Sequence, residues 1–441
     1  MKISKFTTLV FVLGAILYSS KVDAKNLPNI LELGRESKSL LVQVNSQDPK
    51  FYIKRGEARL ESGDVKGALE DFNQALRLNP NDAEAYNNIG VVRYKSGDLK
   101  GAMEYLNKSI GLDPNDAVVY SNRGGFRNEL GDVKGAIEDY NQALHLNPND
   151  AEAYHRRGNI RLKSEDVKGA IEDYNQALRL NPKYAEAYNN RGFARRQLGD
   201  NKGAIEDFNQ ALLLDPNSVE AYGNRGFSRV QSRDKKGAME DFNQALRLNP
   251  KYAEAYYFRG YIQFKSGNLK EAMEDLNQSL LLNPNNTEAY SGRGAVRSKL
   301  GDKKGAMEDL NQALLLNPNN AEAYAGRGAV RFQSRDKKGA MEDFNQALRL
   351  NPKYAEAYYF RGYMQLESGN LKEAMEDLNQ SLLLNPNNGE AYVIRGATLA
   401  LSGDMKGTIK DFQKASELFQ QQGKIAEYQS TLNLIKMIND R

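Results

Sequence analysis

Apolar residues in this chain recur at helical spacing, and the whole pattern then repeats every 34 residues. From Ala83 to Asp116, Ala85, Tyr86 and Gly90 share one side of a first segment, AEAYNNIGVVRYKS. Ala102, Met103, Leu106, Ser109 and Ile110 share a side of a second, LKGAMEYLNKSIGL. Apolar groups three and four residues apart predict two amphipathic helices. Asp82 and Asp98 stand where N-caps are expected, and Gly97 supplies the turn between the helices. Asp113-Pro114 closes the unit, because proline cannot continue a helix and disfavours helical geometry in the residue before it. A single hairpin of this kind cannot bury its own apolar stripe, whereas stacked copies bury a continuous core.

The punctuation extends over most of the chain. Prolines fall at Pro80, Pro114, Pro148, Pro182, Pro216, Pro250, Pro284, Pro318, Pro352 and Pro386, and glycines keep the same interval from Gly56 to Gly396. Eleven copies fit: 49–82, 83–116, 117–150, 151–184, 185–218, 219–252, 253–286, 287–320, 321–354, 355–388 and 389–422. A length of 441 residues alone would suggest two or three globular domains, but a repeat this regular overrides that prior. Gln420 replaces the last expected proline. The run 423–441, with Ile425, Tyr428, Leu432, Ile435 and Ile438 on one face, reads as a C-terminal capping helix.

An aromatic, Gly, Ala, an aromatic, Ala and Pro stand at Tyr120, Gly124, Ala136, Tyr140, Ala143 and Pro148. In this pattern the unit resembles the tetratricopeptide repeat, and the resemblance covers Pro49 to about Gln422. It implies an all-α, right-handed superhelical solenoid of helix-turn-helix units whose first helices line a concave groove. It also implies a scaffold that grips peptides or partner proteins. The family's clamp for a C-terminal carboxylate uses lysine at the second position of a repeat. Glu84, Glu152, Glu186, Glu220 and Glu254 stand there instead, so that clamp is not expected.

The position before the glycine, commonly leucine in that family, is arginine in ten copies: Arg55, Arg123, Arg157, Arg191, Arg225, Arg259, Arg293, Arg327, Arg361 and Arg395. Sixteen residues on, the same ten copies carry Asp71, Asp139, Asp173, Asp207, Asp241, Asp275, Asp309, Asp343, Asp377 and Asp411. The copy with Ile89 in place of arginine also lacks the aspartate, having Tyr105. Loss of both charges together predicts an ion pair between the two helices rather than an arginine row for anionic ligands. A second row, including Arg59, Arg93 and Arg127 one turn later, is expected to meet the acidic row that contains Glu70 and Glu104.

Positions that vary between copies predict where a ligand sits. In the second copy they are Asn87, Asn88, Val91, Tyr94 and Lys95, one stripe of the first helix. Asn88, Asn122, Asn190 and Asn224, interrupted by Arg156, form a row of carboxamides suited to an extended peptide backbone. Toward the C-terminus the stripe turns aromatic. Phe193 and Phe227 begin the trend, followed by Tyr257, Phe258, Tyr261 and Phe264, then Phe332, then Tyr359, Phe360 and Tyr363. With Tyr256 and Tyr358 already filling the core position, these extra rings suggest a patch for apolar side chains or sugar rings. Segments Ser232–Asn286 and Ser334–Asn388 differ only at Ile262/Met364, Phe264/Leu366 and Lys265/Glu367, which marks a duplicated block.

Composition narrows the partner class. Sixty-one basic and 57 acidic residues leave a net charge of +4 without a clustered basic face, so nucleic acid is not expected. Two histidines, His145 and His155, and no cysteine leave little for a metal site or a nucleophile, and no cofactor or catalytic residue is expected. Lys2 and Lys5 precede an apolar run of 13 residues, Phe6 to Tyr18, and Val22-Asp23-Ala24 follows. That arrangement reads as a signal peptide, 1–24, cleaved after Ala24, with 25–48 as an N-terminal segment or linker. The expected protein is exported, periplasmic or secreted, without an integral span after cleavage. Its expected partner is a protein or extended peptide, with a glycan or a cell-surface structural role as the alternative, or a role as a secreted effector.

Overall fold

A computed structural model describes residues 47–439. The expected signal peptide and most of the segment 25–48 lie outside the described residues. Within them stand twenty-three α-helices, from Pro49–Glu61 to Ile425–Asn439, and no strand. Consecutive helices pair as hairpins; in the second repeat they are Ala83–Lys95 and Leu99–Leu112, within a residue of the expected bounds. The caps explain those bounds. Asp82 Oδ1 accepts the Ala85 N–H at 3.0 Å, and Asp98 Oδ1 accepts the Gly101 N–H at 2.9 Å, each satisfying an otherwise orphan donor of the first turn.

The turn between paired helices needs a left-handed residue. Gly97 takes it at φ +83°, but Glu165, Arg233 and Arg335 hold the same position at φ 66°, 63° and 65°. A side chain there crowds the following carbonyl, which costs more than the chain entropy that glycine loses. Glu165→Gly is therefore expected to raise stability by roughly 0.5–1 kcal/mol, seen as a higher melting temperature. A lower one would contradict the strain.

Within each compact part of the chain the core runs between the two helices of a hairpin and on to the next repeat. Ala85, Ala102 and Leu106 are fully buried, and Ile89 and Val92 join them. At Gly90 the second helix comes so close that an added Cβ would lie 3.0 Å from Leu106 Cγ and 3.3 Å from the Ala102 carbonyl oxygen. The repeating glycine is thus a packing requirement.

The chain divides into two compact units, residues 47–198 and 199–439, with the boundary in the turn of the fifth repeat. In each, hairpins follow one another as a helical solenoid. At the C-terminus Ile425–Asn439 packs on Met405–Gln421. Its sheltered stripe differs from the expected one. Thr431 is buried and Tyr428, Ile435 and Ile438 are half-buried, while Ile425 and Leu432 stand exposed. The capping face is rotated toward Thr431, whose hydroxyl is satisfied by the Glu427 carbonyl at 2.7 Å.

Candidate functional site: the first-helix grooves

The arginine row is internal, and it does more than the spacing foretold. Arg123 Nη2 and Nε reach Asp139 at 2.6 and 2.9 Å, and Arg293 makes the same fork to Asp309 at 2.6 and 2.9 Å. The remaining Nη1 donates backward into the preceding repeat: Arg123 to Asn107 at 2.7 Å, Arg293 to Asn277 at 2.9 Å. Each guanidinium also lies near the ring three residues earlier, Arg123 at 5.5 Å from Tyr120 and Arg293 at 5.5 Å from Tyr290. One side chain therefore ties both helices of its own hairpin and links them to the previous one.

The second arginine row corrects the expectation. Arg59 Nη1 meets Asp71 at 2.9 Å and the Gly67 carbonyl at 3.0 Å, with the capping Asp64 at 3.7 Å, rather than Glu70. Glu70 and Glu104 sit on the exposed side of the second helix. In the repeat without the aspartate, Arg93 keeps its cap partner Asp98 at 2.5 Å and lies 4.8 Å from the Tyr105 ring. Tyr105 thus replaces the carboxylate with a π-face.

In unit 1 the carboxamide row forms a chain of bonds between successive first helices. Asn88 donates to Glu57 at 3.3 Å, and Asn122 to Asn87 at 3.0 Å. Asn190 donates to Asn159 at 2.9 Å and lies 3.0 Å from His155 Nε2. Arg156 turns instead to Glu152, at 2.5 Å. Asn224, in unit 2, accepts the Ser228 hydroxyl on its backbone carbonyl at 3.0 Å. In these bonds Asn88, Asn122 and Asn190 each commit one or two amide N–H groups, so the row is partly committed to holding the repeats together. Beside it lies a cavity of about 310 Å³ lined by Tyr94, Ser121, Asn122, Phe126 and Arg156. Its wall is a stacked pair, Tyr94 on Phe126 at 3.8 Å.

The aromatic row is less free than its sequence position suggested. Phe258 stacks 5.7 Å from the core ring Phe242 and meets Phe227 edge-on at 4.8 Å. Phe360 stacks 5.9 Å from Phe344, and Phe332 meets Tyr363 at 5.5 Å. Tyr257 and Phe264 pack against the cluster that holds Leu276 and Val296. Phe193 carries Arg196 at 4.8 Å and Tyr261 carries Lys265 at 5.5 Å. All ten rings are half-buried. Phe227, Tyr257, Phe258, Phe264, Phe332, Phe360 and Tyr363 belong to the packing between repeats and offer an edge, rather than standing outside it as a loose platform.

Some of them nevertheless wall an open groove of about 500 Å³ in unit 2. Phe264 closes one side and Tyr359 with Phe360 the other; Ala295, Ala325, Gly326 and Ala329 form the floor between them. The walls come from the duplicated block, so two nearly identical first helices, Ala253–Lys265 and Ala355–Glu367, flank two helices with small residues. The small floor was missed in the sequence, where attention to large side chains hid it. Its signal was Ser291 with Gly292 and Ala325 with Gly326, two successive copies with small residues at both the fifth and the sixth position.

A second missed feature constrains the fifth position in the repeats before a tyrosine. Three repeats begin after Tyr184, Tyr252 or Tyr354 where others have Asp, Asn or Ser, and these helices lack a side-chain cap. The rings reach back instead. Tyr184 Oη lies 2.8 Å from His155 Nδ1, and Tyr252 fills the space over Gly223, where an added Cβ would fall 2.4 Å from its hydroxyl. At His155 and Gly223 position five is therefore set by packing, although the sequence places it on the variable stripe. Among the described residues no group of His, Asp or Glu could hold a metal ion, and no helix is long and apolar enough to cross a membrane.

Stacked hairpins with a groove along their first helices define a helical-repeat protein. Models described as TPR repeat match residues 56–97, 127–165, 158–199 and 235–267; models described as tetratricopeptide repeat match 83–116, 185–218, 253–286, 292–355 and 331–392. The chain belongs to the tetratricopeptide repeat family. Among solved structures, the APC/C hetero-tetramer Cut9–Hcn1 is similar over 88% of this chain and 96% of its own, at 14% identity and a TM-score of 0.54, which shows the fold alone. Yeast Tom70 is 18% identical over 89% of this chain and 95% of its own, with a TM-score of 0.41. YrrB, described as a TPR protein with an unusual peptide-binding site, is 24% identical over 42% of this chain and 96% of its own, with a TM-score of 0.35. No curated protein matches the chain.

Proposed function

We propose that this protein is a non-catalytic scaffold that holds an extended segment of a partner protein along its first-helix faces. The observation that carries this reading is the groove of about 500 Å³ in unit 2, with a floor of small side chains between aromatic walls. A floor without side-chain bulk admits a peptide backbone, and ring edges on both sides receive its apolar side chains. The carboxamides of unit 1 add a second strip, where the Asn122 amide donates to Asn87 and still has acceptor capacity for a peptide backbone. We also propose that the chain acts after export and loses residues 1–24; N-terminal sequencing of protein recovered from fractionated cells checks this.

The test fills the floor. Phe193 and Phe227 occupy, in the fifth and sixth repeats, the position of Ala295 and Ala329, so phenylalanine there is compatible with the fold. Ala295→Phe with Ala329→Phe is expected to leave helicity intact and abolish capture of unfolded peptides by the full chain. Asn122→Ala is expected to weaken capture without abolishing it. Capture untouched by the double variant would move the site elsewhere, and binding of cell-wall glycan fragments in place of peptides would replace the reading with a glycan-binding one.

A further inference from the structure

Basic residues stand in the sequence only as short pairs, but stacking brings three of these pairs to one edge of unit 2. The turn between paired helices reads SRDKK at 232–236 and 334–338, in the sixth and ninth repeats, and LGDKK at 300–304 in the eighth. Successive turns lie side by side. Lys303 Nζ donates to the Gln333 carbonyl of the next repeat at 2.7 Å, and Lys337 Nζ lies 3.5 Å from Glu367 of the repeat after that.

Nearby acids do not cancel this charge. Asp234, Asp302 and Asp336 each cap a second helix, accepting the N–H of the glycine three residues on at 2.9 Å. They lie 3.6–3.7 Å from Arg229, Arg297 and Arg331, which match them. Glu240, Glu308 and Glu342 stand one helical turn farther from the tip. With Glu367 they set four carboxylates against the eight basic residues of the three turns, all exposed. Arg233 and Arg335 occupy the left-handed turn position, at φ 63° and 65°, where Gly267, Gly301, Gly369 and Gly403 stand in other turns of this unit. The tip thus bears a cation even at the cost of backbone strain.

The same edge exposes apolar side chains. Leu300, beside Lys303 and Lys304, is 55% exposed, and Leu401 and Met405 stand exposed in the turn of the eleventh repeat. Apolar tips among cations fit a surface that offers anionic charge and hydrocarbon together. A soluble polyanion would engage the cations and leave the leucine in water. We propose that this edge of unit 2 docks on a lipid bilayer containing anionic phospholipid, with its lysines and arginines against the headgroup phosphates and Leu300 inserted between headgroups. The proposal is independent of what the groove holds.

Cosedimentation of the full chain with vesicles at physiological salt tests it, using phosphatidylcholine alone and an equal mixture with phosphatidylglycerol. Binding is expected only to the mixed vesicles. Lys236→Gln, Lys304→Gln and Lys338→Gln alter side chains that make no ion pair among the described residues, and each should weaken binding about fivefold, the contribution of one cation near a charged surface. Leu300→Ser places there the residue that the sixth and ninth repeats carry as Ser232 and Ser334. It should weaken binding about tenfold, through the lost burial of one side chain. Equal binding to both kinds of vesicle, or binding to neither, would overturn the proposal. So would loss of binding in the lysine variants with none in Leu300→Ser and with heparin bound as well as the mixed vesicles, which would assign the edge to a soluble polyanion.

Discussion

Arg361→Ala is expected to lower stability by about 3–5 kcal/mol, the cost of leaving a buried carboxylate without its cation. Asp377 is only 7% exposed and accepts two bonds from Arg361, at 2.7 and 2.6 Å. The same guanidinium donates to Asn345 of the preceding repeat at 2.7 Å, so the loss reaches across the repeat junction. Arg225→Ala should cost less, on the order of 2 kcal/mol, because a second cation remains. Arg229 Nη1 already lies 2.9 Å from Asp241, whereas Gln365 occupies the matching place in the tenth repeat. The chain also contains its own control. Ile89 and Tyr105 fill these two positions in the second repeat, where Leu106 follows as Leu378 does in the tenth. Arg361→Ile combined with Asp377→Tyr is expected to unfold within about 1 kcal/mol of the parent, a double-mutant coupling of several kcal/mol. Urea denaturation followed by far-ultraviolet circular dichroism measures all three. Equal losses for Arg361→Ala and Arg225→Ala would show that the second arginine does not compensate.

That control explains why the fold was legible from the residues. Strict repetition turns one chain into eleven aligned examples, so joint loss of Arg and Asp in one copy reveals a contact between helices. The caps and turns were equally plain, because Asp82, Gly97 and Pro114 act through local backbone geometry. Contacts between repeats were harder to read. Asn122 and Asn87, or Tyr184 and His155, lie in different copies and involve positions that vary, so no recurring residue marks them. The aromatic stripe misled for the same reason. Phe258 and Phe360 look surplus when only their own hairpin is considered, and become packing residues once Phe242 and Phe344 of the preceding repeats stack on them. The groove is legible only by contrast, as the place where two copies lack what their neighbours share.

The second large effect is expected with pH, at His155. Its side chain is buried, with 5% of the residue exposed, between Tyr184 Oη at 2.8 Å from Nδ1 and the Asn190 amide at 3.0 Å from Nε2. Burial, followed by the Arg156 cation and opposed by Glu152, holds the imidazole down at about 4, against an ordinary value of 6.5. The unfolded chain therefore takes up a proton between those two values that the folded chain refuses. Stability contributed by the neutral ring is complete above pH of about 6.5 and is lost as pH falls toward about 4, amounting to about 3 kcal/mol over the window. Carboxylates titrate near the lower end, so a comparison isolates the histidine. Asparagine stands at the matching position as Asn87 and Asn189, which makes His155→Asn a substitution that the repeat accommodates. The parent should lose melting temperature faster than this variant as pH is lowered through the window; parallel profiles would rule the histidine out as the cause. With only two histidines in the chain, the ring signals are also separable by nuclear magnetic resonance. The buried His155 should stay neutral until about pH 4, and a midpoint at its ordinary value would show that water reaches the ring.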